Sequence, residues 1–188
     1  MLQQAKLLRP STTLALILAL LLAGPAIGRA EVLMTKDEAL AAGLGKAERV
    51  EKEVLFLSDA ERQEVQQKAR AELKSQLFTV YKGMAGDAIT GYAFIDTRTV
   101  RSKPATFMVV LSPEGKVREL RVLAWKEPPE YRPSGRWLAQ FEGHGLEPHT
   151  ALGREIQGMS GASLSSRTLT DGVRRVLAVY RVKLAEGG

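Results

Sequence analysis

The chain contains no cysteine and only two histidines, His144 and His149, in 188 residues. Without thiolates it cannot ligate an iron–sulfur cluster through cysteine, attach haem in the c-type manner, build a blue-copper centre or exchange disulfides. No disulfide can staple the fold either, so a hydrophobic core must hold it. The 158 residues beyond the first thirty suffice for one domain. Both histidines stand near glycine or proline and read as loop residues, not as a multi-histidine metal site. If electrons pass through this chain, an organic cofactor carries them.

Long hydrophobic runs are nearly absent as well. The exception is Leu14 to Ala23, which follows Lys6 and Arg9 and is broken by Pro25. Gly28-Arg29-Ala30 then supplies small residues at the positions a signal peptidase reads. The run falls short of the roughly 20 residues a bilayer span needs, so residues 1–30 are expected to be a cleaved signal peptide. The expected product starts at Glu31 and is periplasmic or otherwise exported; an uncleaved membrane anchor is the alternative. With no cysteine at the junction, a lipoprotein anchor is excluded.

Charge follows from that cleavage. Lys6, Arg9 and Arg29 leave with the signal and no acid does, so 27 basic and 21 acidic residues become 24 and 21 and the net charge falls from +6 to +3. No Lys/Arg cluster is interleaved with aromatics, and nucleic acid is not an expected partner.

Beyond residue 30, Thr35-Lys36-Asp37-Glu38 and Ser58-Asp59-Ala60-Glu61 each place a hydroxyl three positions before a glutamate, the signature of a capping box. The first opens a short helix through Ala42, and the second opens a surface helix to about Leu73. Val54 to Leu57 reads as a short strand between them. Leu77–Lys82, Ile89–Asp96, Ala105–Leu111 and Val117–Trp125 are rich in β-branched and aromatic residues; Ser112-Pro113-Glu114-Gly115 joins the last two as a hairpin. Leu120, Val122 and Ala124 alternate with Glu119, Arg121 and Leu123, the pattern of a sheet with one covered face. Strands in a block between helices predict an α+β single domain, residues 31–188, built on an antiparallel sheet of about four strands.

The segment 126–155 is interrupted by Pro128, Pro129, Pro133, Gly135, Gly143, Gly145 and Pro148. Ser134 is expected to cap a short helix carrying Trp137, Leu138 and Phe141. Tyr131 and Trp137 are candidates to flank a flat aromatic ring, with ordinary packing as the alternative. From Thr168 to Lys183, Leu169, Val173, Val176, Leu177 and Tyr180 recur at helical spacing, leaving Arg174, Arg175 and Arg181 to other faces.

Before that helix stands Gln157-Gly158-Met159-Ser160-Gly161-Ala162-Ser163-Leu164-Ser165-Ser166. A tight turn running into a helix N-terminus presents unpartnered N–H groups and partial positive charge, a natural seat for phosphate. Gly161 and Ala162 let the backbone approach such a group, and Ser160, Ser163, Ser165 and Ser166 offer hydroxyls. Two other readings stay open. Ser163 or Ser165 can act as a simple N-cap, or Ser160 can be a nucleophile, since Gly158-Met159-Ser160-Gly161 nearly spells a hydrolase elbow. Ala162 replaces that elbow's last glycine, and Gly153 to Gln157 hardly resembles the buried strand it should follow.

Ser160-Gly161-Ala162-Ser163, followed by Leu164-Ser165-Ser166, resembles the Ser/Thr-Gly-Ala-Thr/Ser motif of the FMN-binding domain family. That family includes the periplasmic FMN subunits of the sodium-pumping NADH:quinone reductase and of the Rnf complex. The resemblance extends from about Met34 to Val182 and includes Glu127-Pro128-Pro129-Glu130-Tyr131 and Trp137-Leu138-Ala139-Gln140-Phe141. It implies FMN as cofactor, joined by a phosphoester bond to Ser163, with Ser160, Gly161, Ala162, Leu164 and Ser165 around it. It also implies an FAD-dependent flavin transferase for maturation, and membrane or exported redox proteins as partners for an electron carrier. The family motif usually carries an acid where this chain has Gln157, so noncovalent FMN or phosphate-ligand binding is the first alternative. A structural accessory protein without cofactor is the second.

Overall fold

A computed structural model describes residues 31–185; the expected signal segment lies outside the described residues. Six antiparallel strands form one sheet: β1 (Glu31–Val32), β2 (Arg49–Phe56), β3 (Leu77–Ala85), β4 (Ala88–Thr99), β5 (Pro104–Leu111) and β6 (Val117–Trp125). Their order is β1-β6-β5-β4-β3-β2. The α+β class holds, with more strands than expected. β2 reaches back to Arg49 because its charged half, Arg49 to Glu53, pairs by backbone along β3 while its side chains face water. The short β1 adds Glu31 and Val32 opposite Trp125 and Ala124.

Helix α1 (Lys36–Gly43) and helix α2 (Asp59–Ala69) start at the two anticipated capping boxes. Thr35 and Ser58 each accept from the amide three residues on, and Glu38 and Glu61 each reach back to the cap. Helix α2 stops at Ala69, short of Leu73, where Arg70 turns left-handed at φ 53°. Helix α3 (Gly135–Leu138) is capped by Ser134 and runs into a 3₁₀ turn at Ala139–Phe141. Helix α4 (Ser163–Lys183) opens within the motif, as anticipated, five residues before the periodic apolar stretch that starts at Thr168.

Both faces of the sheet are covered. On one, Phe94, Phe107, Val109, Leu120 and Val122 meet Leu169, Val173, Val176 and Leu177 of α4 in the main core. On the other, Ala93, Met108, Val110 and Leu123 meet Ala39, Leu40 and Leu44 around α1. Each buried valine, leucine, methionine or phenylalanine among them contributes about 1.5–3 kcal/mol of transfer free energy. Expecting one covered face missed two bulges in β6. Thr106 pairs with Ala124 but Phe107 with Val122, and Val110 pairs with Glu119 but Leu111 with Val117. The extra residues, Leu123 and Arg118, break strict alternation, so Leu123 packs under α1 and Val122 and Trp125 share the main core.

Helix α4 lies close on the sheet because Gly172 has no side chain: a Cβ there would fall 2.4 Å from Phe107 Cζ. It also locks to α2. Arg174, expected on an outer face, is buried, as is Arg175. Arg174 Nε donates to the Ala69 carbonyl at 2.8 Å, Nη2 to Lys68 at 3.0 Å, and Nη1 to Thr150 at 2.7 Å and Glu147 at 3.0 Å. The guanidinium thus satisfies carbonyls in the last turn of α2, where a cation is also favoured by the helix dipole. Arg175 donates to no group among the described residues.

Candidate functional site

Among the described residues, three of the four α-helices begin on a hydroxyl cap, from Thr35, Ser58 or Ser134. Helix α4 is the exception: its N-cap is Ala162, and no side chain bonds its first amides, although Ser160, Ser163 and Ser165 are all close in sequence. The simple-cap reading is therefore corrected. Ser163 is already the first helical residue, so its own hydroxyl lies past the capping position.

The turn before the helix is held by a different serine. Ser166 Oγ accepts from the Met159 amide at 2.9 Å and donates to the Ala162 carbonyl at 3.1 Å. Gly161 sits at φ 74°, and a Cβ built on it meets nothing within 4 Å. The backbone there is accessible to a group arriving from outside, and glycine supplies the left-handed conformation without strain.

A cleft of about 230 Å³ opens at this point, lined on one side by Gly161, Ala162, Ser163, Leu164 and Ser165. Val100, Arg101, Glu127 and Tyr131 line the other. Ser163 and Leu164 are exposed, Ala162 and Ser165 are buried, and Ser160 stands exposed in the turn outside the lining. Of the two anticipated aromatics, half-buried Tyr131 reaches the cleft. Trp137 does not: it is buried, crosses Phe141 edge-on at 5.4 Å and donates its indole N–H to the Gln157 carbonyl at 2.7 Å. Packing is its role, and through that bond it fixes the start of the motif loop.

Glu127 and Arg101 were not anticipated as cleft residues. Glu127 Oε1 accepts from three successive amides, Arg101 at 2.8 Å, Ser102 at 2.7 Å and Lys103 at 2.7 Å. Burial works to raise this carboxyl's pKa, but those amides and the Arg101 charge outweigh it and hold the pKa below the ordinary carboxylate value. The cleft therefore contains two anion seats. The β4–β5 turn is filled by the chain's own Glu127, and the α4 N-terminus is left open on the wall of the cleft opposite Arg101. Only the basic turn Arg101-Ser102-Lys103 hinted at this in sequence, because Glu127 lies 24 to 26 residues away.

Elsewhere, His144 and His149 lie outside helices and strands, as expected of loop residues. They converge on two glutamates, His144 Nδ1 lying 3.1 Å from Glu155 and His149 Nε2 3.0 Å from Glu147. Among the described residues no helix is long and apolar enough to cross a membrane.

The architecture and the cleft define an α+β domain that presents an uncapped helix N-terminus, a glycine turn and a cation to an anionic group. Residues 101–178 match the family model described as FMN-binding domain. FMN is accordingly its cofactor and the protein is a flavoprotein. Of solved structures, the crystal structure of Shewanella oneidensis NqrC is similar at 13% identity and a TM-score of 0.44, covering 71% of this chain and 78% of that one. No curated protein matches the chain.

The residues present fit an FMN phosphate. Free amides at the α4 N-terminus, open space above Gly161 and the Arg101 guanidinium supply donors and positive charge. The exposed Ser163 hydroxyl stands among them.

Proposed function

We propose that this protein is an exported electron carrier whose FMN is esterified to Ser163. The observation that carries the reading is the bare N-terminus of α4. Among the described residues the three other α-helices are capped by hydroxyls, and this one is left open, in a cleft, with an exposed serine at its first position. The amides of residues 163–165 and Arg101 hold the phosphate, and Gly161 admits it. Tyr131 and Val100 give apolar surface beside it. When bound, the flavin supplies one- and two-electron chemistry; the protein supplies binding, orientation and exclusion of water.

Attachment balances as a transfer from FAD by a flavin transferase. Ser163 Oγ bonds to the flavin-side phosphorus, the bond from that phosphorus to the AMP moiety breaks, AMP leaves, and the hydroxyl proton passes to solvent. A tether suits an exported carrier, since a dissociated flavin would be lost from the compartment. Membrane or exported redox proteins are its partners.

Gln157 favours a second reading, FMN held without the ester. Its side chain is exposed and bonded to the Arg154 carbonyl at 3.4 Å, where the family motif usually offers an acid. Intact mass of the exported protein, produced with and without a flavin transferase, separates the two. The ester predicts an increment of FMN less one water that needs the transferase and disappears in Ser163→Ala. An unmodified mass with extractable flavin would establish the second reading, and absence of flavin under both conditions would end the electron-carrier assignment.

A further inference from the structure

The two histidines of this chain stand in one loop, and the fold gathers them with two glutamates of the same loop. His144 Nδ1 lies 3.1 Å from Glu155 Oε2, and His149 Nε2 lies 3.0 Å from Glu147 Oε2 and 3.5 Å from Glu155 Oε1. One ligand-type atom from each of His144, Glu147 and Glu155 falls within 4.8 Å of the others. None of the four residues lines the cleft at Ser163, so the cluster is separate from the flavin cleft.

The backbone holds these side chains from both ends. At the start, the Val117 amide donates to the His144 carbonyl at 2.8 Å and the Gly143 amide to the Val117 carbonyl at 2.8 Å, which ties His144 to the first residue of β6. At the end, Gly153 turns at φ 77°, its amide donates to the Ile156 carbonyl at 2.9 Å, and Ile156, next to Glu155, is buried. In between, the Thr150 amide donates to the Glu147 carbonyl at 3.2 Å and the Ala151 amide to the His149 carbonyl at 2.6 Å. The four side chains therefore leave a fixed turn.

Hydrogen bonds alone serve this cluster incompletely. Two carboxylates brought within 4.8 Å of each other repel. His149 Nε2 carries at most one proton and has two carboxylate oxygens in reach. With both imidazoles in the neutral form that ligates metals, the cluster has a charge of −2, which a divalent cation cancels. Four donors placed tetrahedrally at Zn²⁺ bond lengths stand about 3.3–3.6 Å apart, so the spacings here need only small shifts. Donor type selects the ion. Imidazole with carboxylate suits Zn²⁺ and its late first-row neighbours, whereas Ca²⁺ and Mg²⁺ take shells of oxygen. The side chains are 26–49% exposed, which leaves the ion a way in.

We propose that His144, Glu147, His149 and Glu155 form a structural Zn²⁺ site that clamps the loop 144–155. Four protein donors close the coordination shell, as in sites that hold a fold and not in those that keep a position for substrate. The loop carries the carbonyls of Glu147 and Thr150 that receive Arg174 of α4. It then runs through Ile156 into Gln157, whose carbonyl the Trp137 indole holds. The ion thus fastens both the seat of α4 and the entry to the motif loop.

The test uses the full chain without an affinity tag, stripped with a chelator and titrated with Zn²⁺ by calorimetry. The proposal expects one Zn²⁺ per chain, with Ca²⁺ and Mg²⁺ bound at least about a hundredfold more weakly. His144→Ala, His149→Ala and Glu155→Gln should each weaken Zn²⁺ by about tenfold or more, because loss of even an outer partner of a metal ligand costs about 10–100-fold. At about a hundred times Kd, Zn²⁺ should raise the parent's Tm by about 5–10 °C, and the Tm of each variant by about half that or less. Metal-free His149→Ala, which loses only half-exposed ion pairs, should melt within about 4 °C of the parent, so that lost binding is not lost folding. A cluster that is no more than a set of ion pairs binds Zn²⁺ no more tightly than Ca²⁺ and leaves Tm unmoved; either result overturns the site. Zn²⁺ affinity unchanged in any of the three variants overturns it as well.

Discussion

Replacing Arg174 with methionine preserves most of the side chain's length and removes all four of its hydrogen bonds. Two of the acceptors, the carbonyls of Ala69 and Thr150, are buried with the guanidinium; those of Lys68 and Glu147 are partly buried and reach water after small shifts. A stranded buried acceptor costs about 1–3 kcal/mol, so the two buried carbonyls together predict about 2–6 kcal/mol. Removing a charge from the interior offsets part of that, which leaves about 3 kcal/mol. For a domain of this size that is a fall of about 6–12 °C in Tm. Urea unfolding of the flavin-free chain, followed by far-UV circular dichroism, measures it, and Arg174→Lys should fall between variant and parent because an ammonium cannot span the same carbonyls. The neighbouring Arg175→Met, which strands no acceptor, should be neutral or stabilising. A loss below about 1 kcal/mol for Arg174→Met, or a larger loss at Arg175, would refute the assignment of the lock between α2 and α4 to Arg174 alone.

Three further outcomes follow from the geometry. Gly161→Ala should cost about 1–2 kcal/mol for a non-glycine residue at φ 74°, and its methyl, meeting no protein atom, should instead obstruct flavin loading, read as the fraction of protein carrying FMN. Glu127→Ala strands the amides of Arg101, Ser102 and Lys103 and should lower stability by about 2 kcal/mol; an unchanged melting curve would mean the β4–β5 turn stands without it. The bond from Lys183 at 2.9 Å, followed by the Ser58 amide, holds Glu61 at about 2 against an ordinary 4.5. A carboxyl depressed on folding contributes stability that is complete above 4.5 and lost as pH falls toward 2. Melting temperature plotted against pH should therefore drop less steeply across that window in Glu61→Gln than in the parent.

Features written within a few residues were legible in the sequence, and those requiring distant partners were not. Thr35 with Glu38 and Ser58 with Glu61 carry both halves of a capping box in one turn, so both helix starts were visible. The opening of α4 within the motif was legible, but its cap was not: the N-cap is Ala162, and the hydroxyl that holds the preceding turn belongs to Ser166, a choice that only the folded loop reveals. Arg174 and Arg175 follow the apolar stripe imperfectly and so read as exposed; what buries Arg174 includes the end of α2, about a hundred residues earlier, and the 147–150 turn. The β6 bulges were hidden in the same way, since alternation alone cannot show where the partner strand skips a residue. The motif was legible as a loop that opens a helix. Its opposite wall, Arg101 and Glu127, becomes a wall only when a turn and a strand end are folded together.

Strands β2 to β6 pair in the order in which they occur in the chain, each with the next. From β3 to β6 this meander closes only short turns, so its entropic cost is met in small steps and it can assemble early. Helix α4 has no such neighbour. Its place is defined by Phe107 in β5, the carbonyl end of α2 and the turn at residues 147–150, all of which must exist beforehand. Ser163, at the leading end of that helix, therefore reaches its final setting after the rest of the molecule. Under the proposed ester, a transferase that reads the finished cleft would find it only on chains that have completed folding, and the attached flavin would then serve as a stamp of inspection as well as a cofactor.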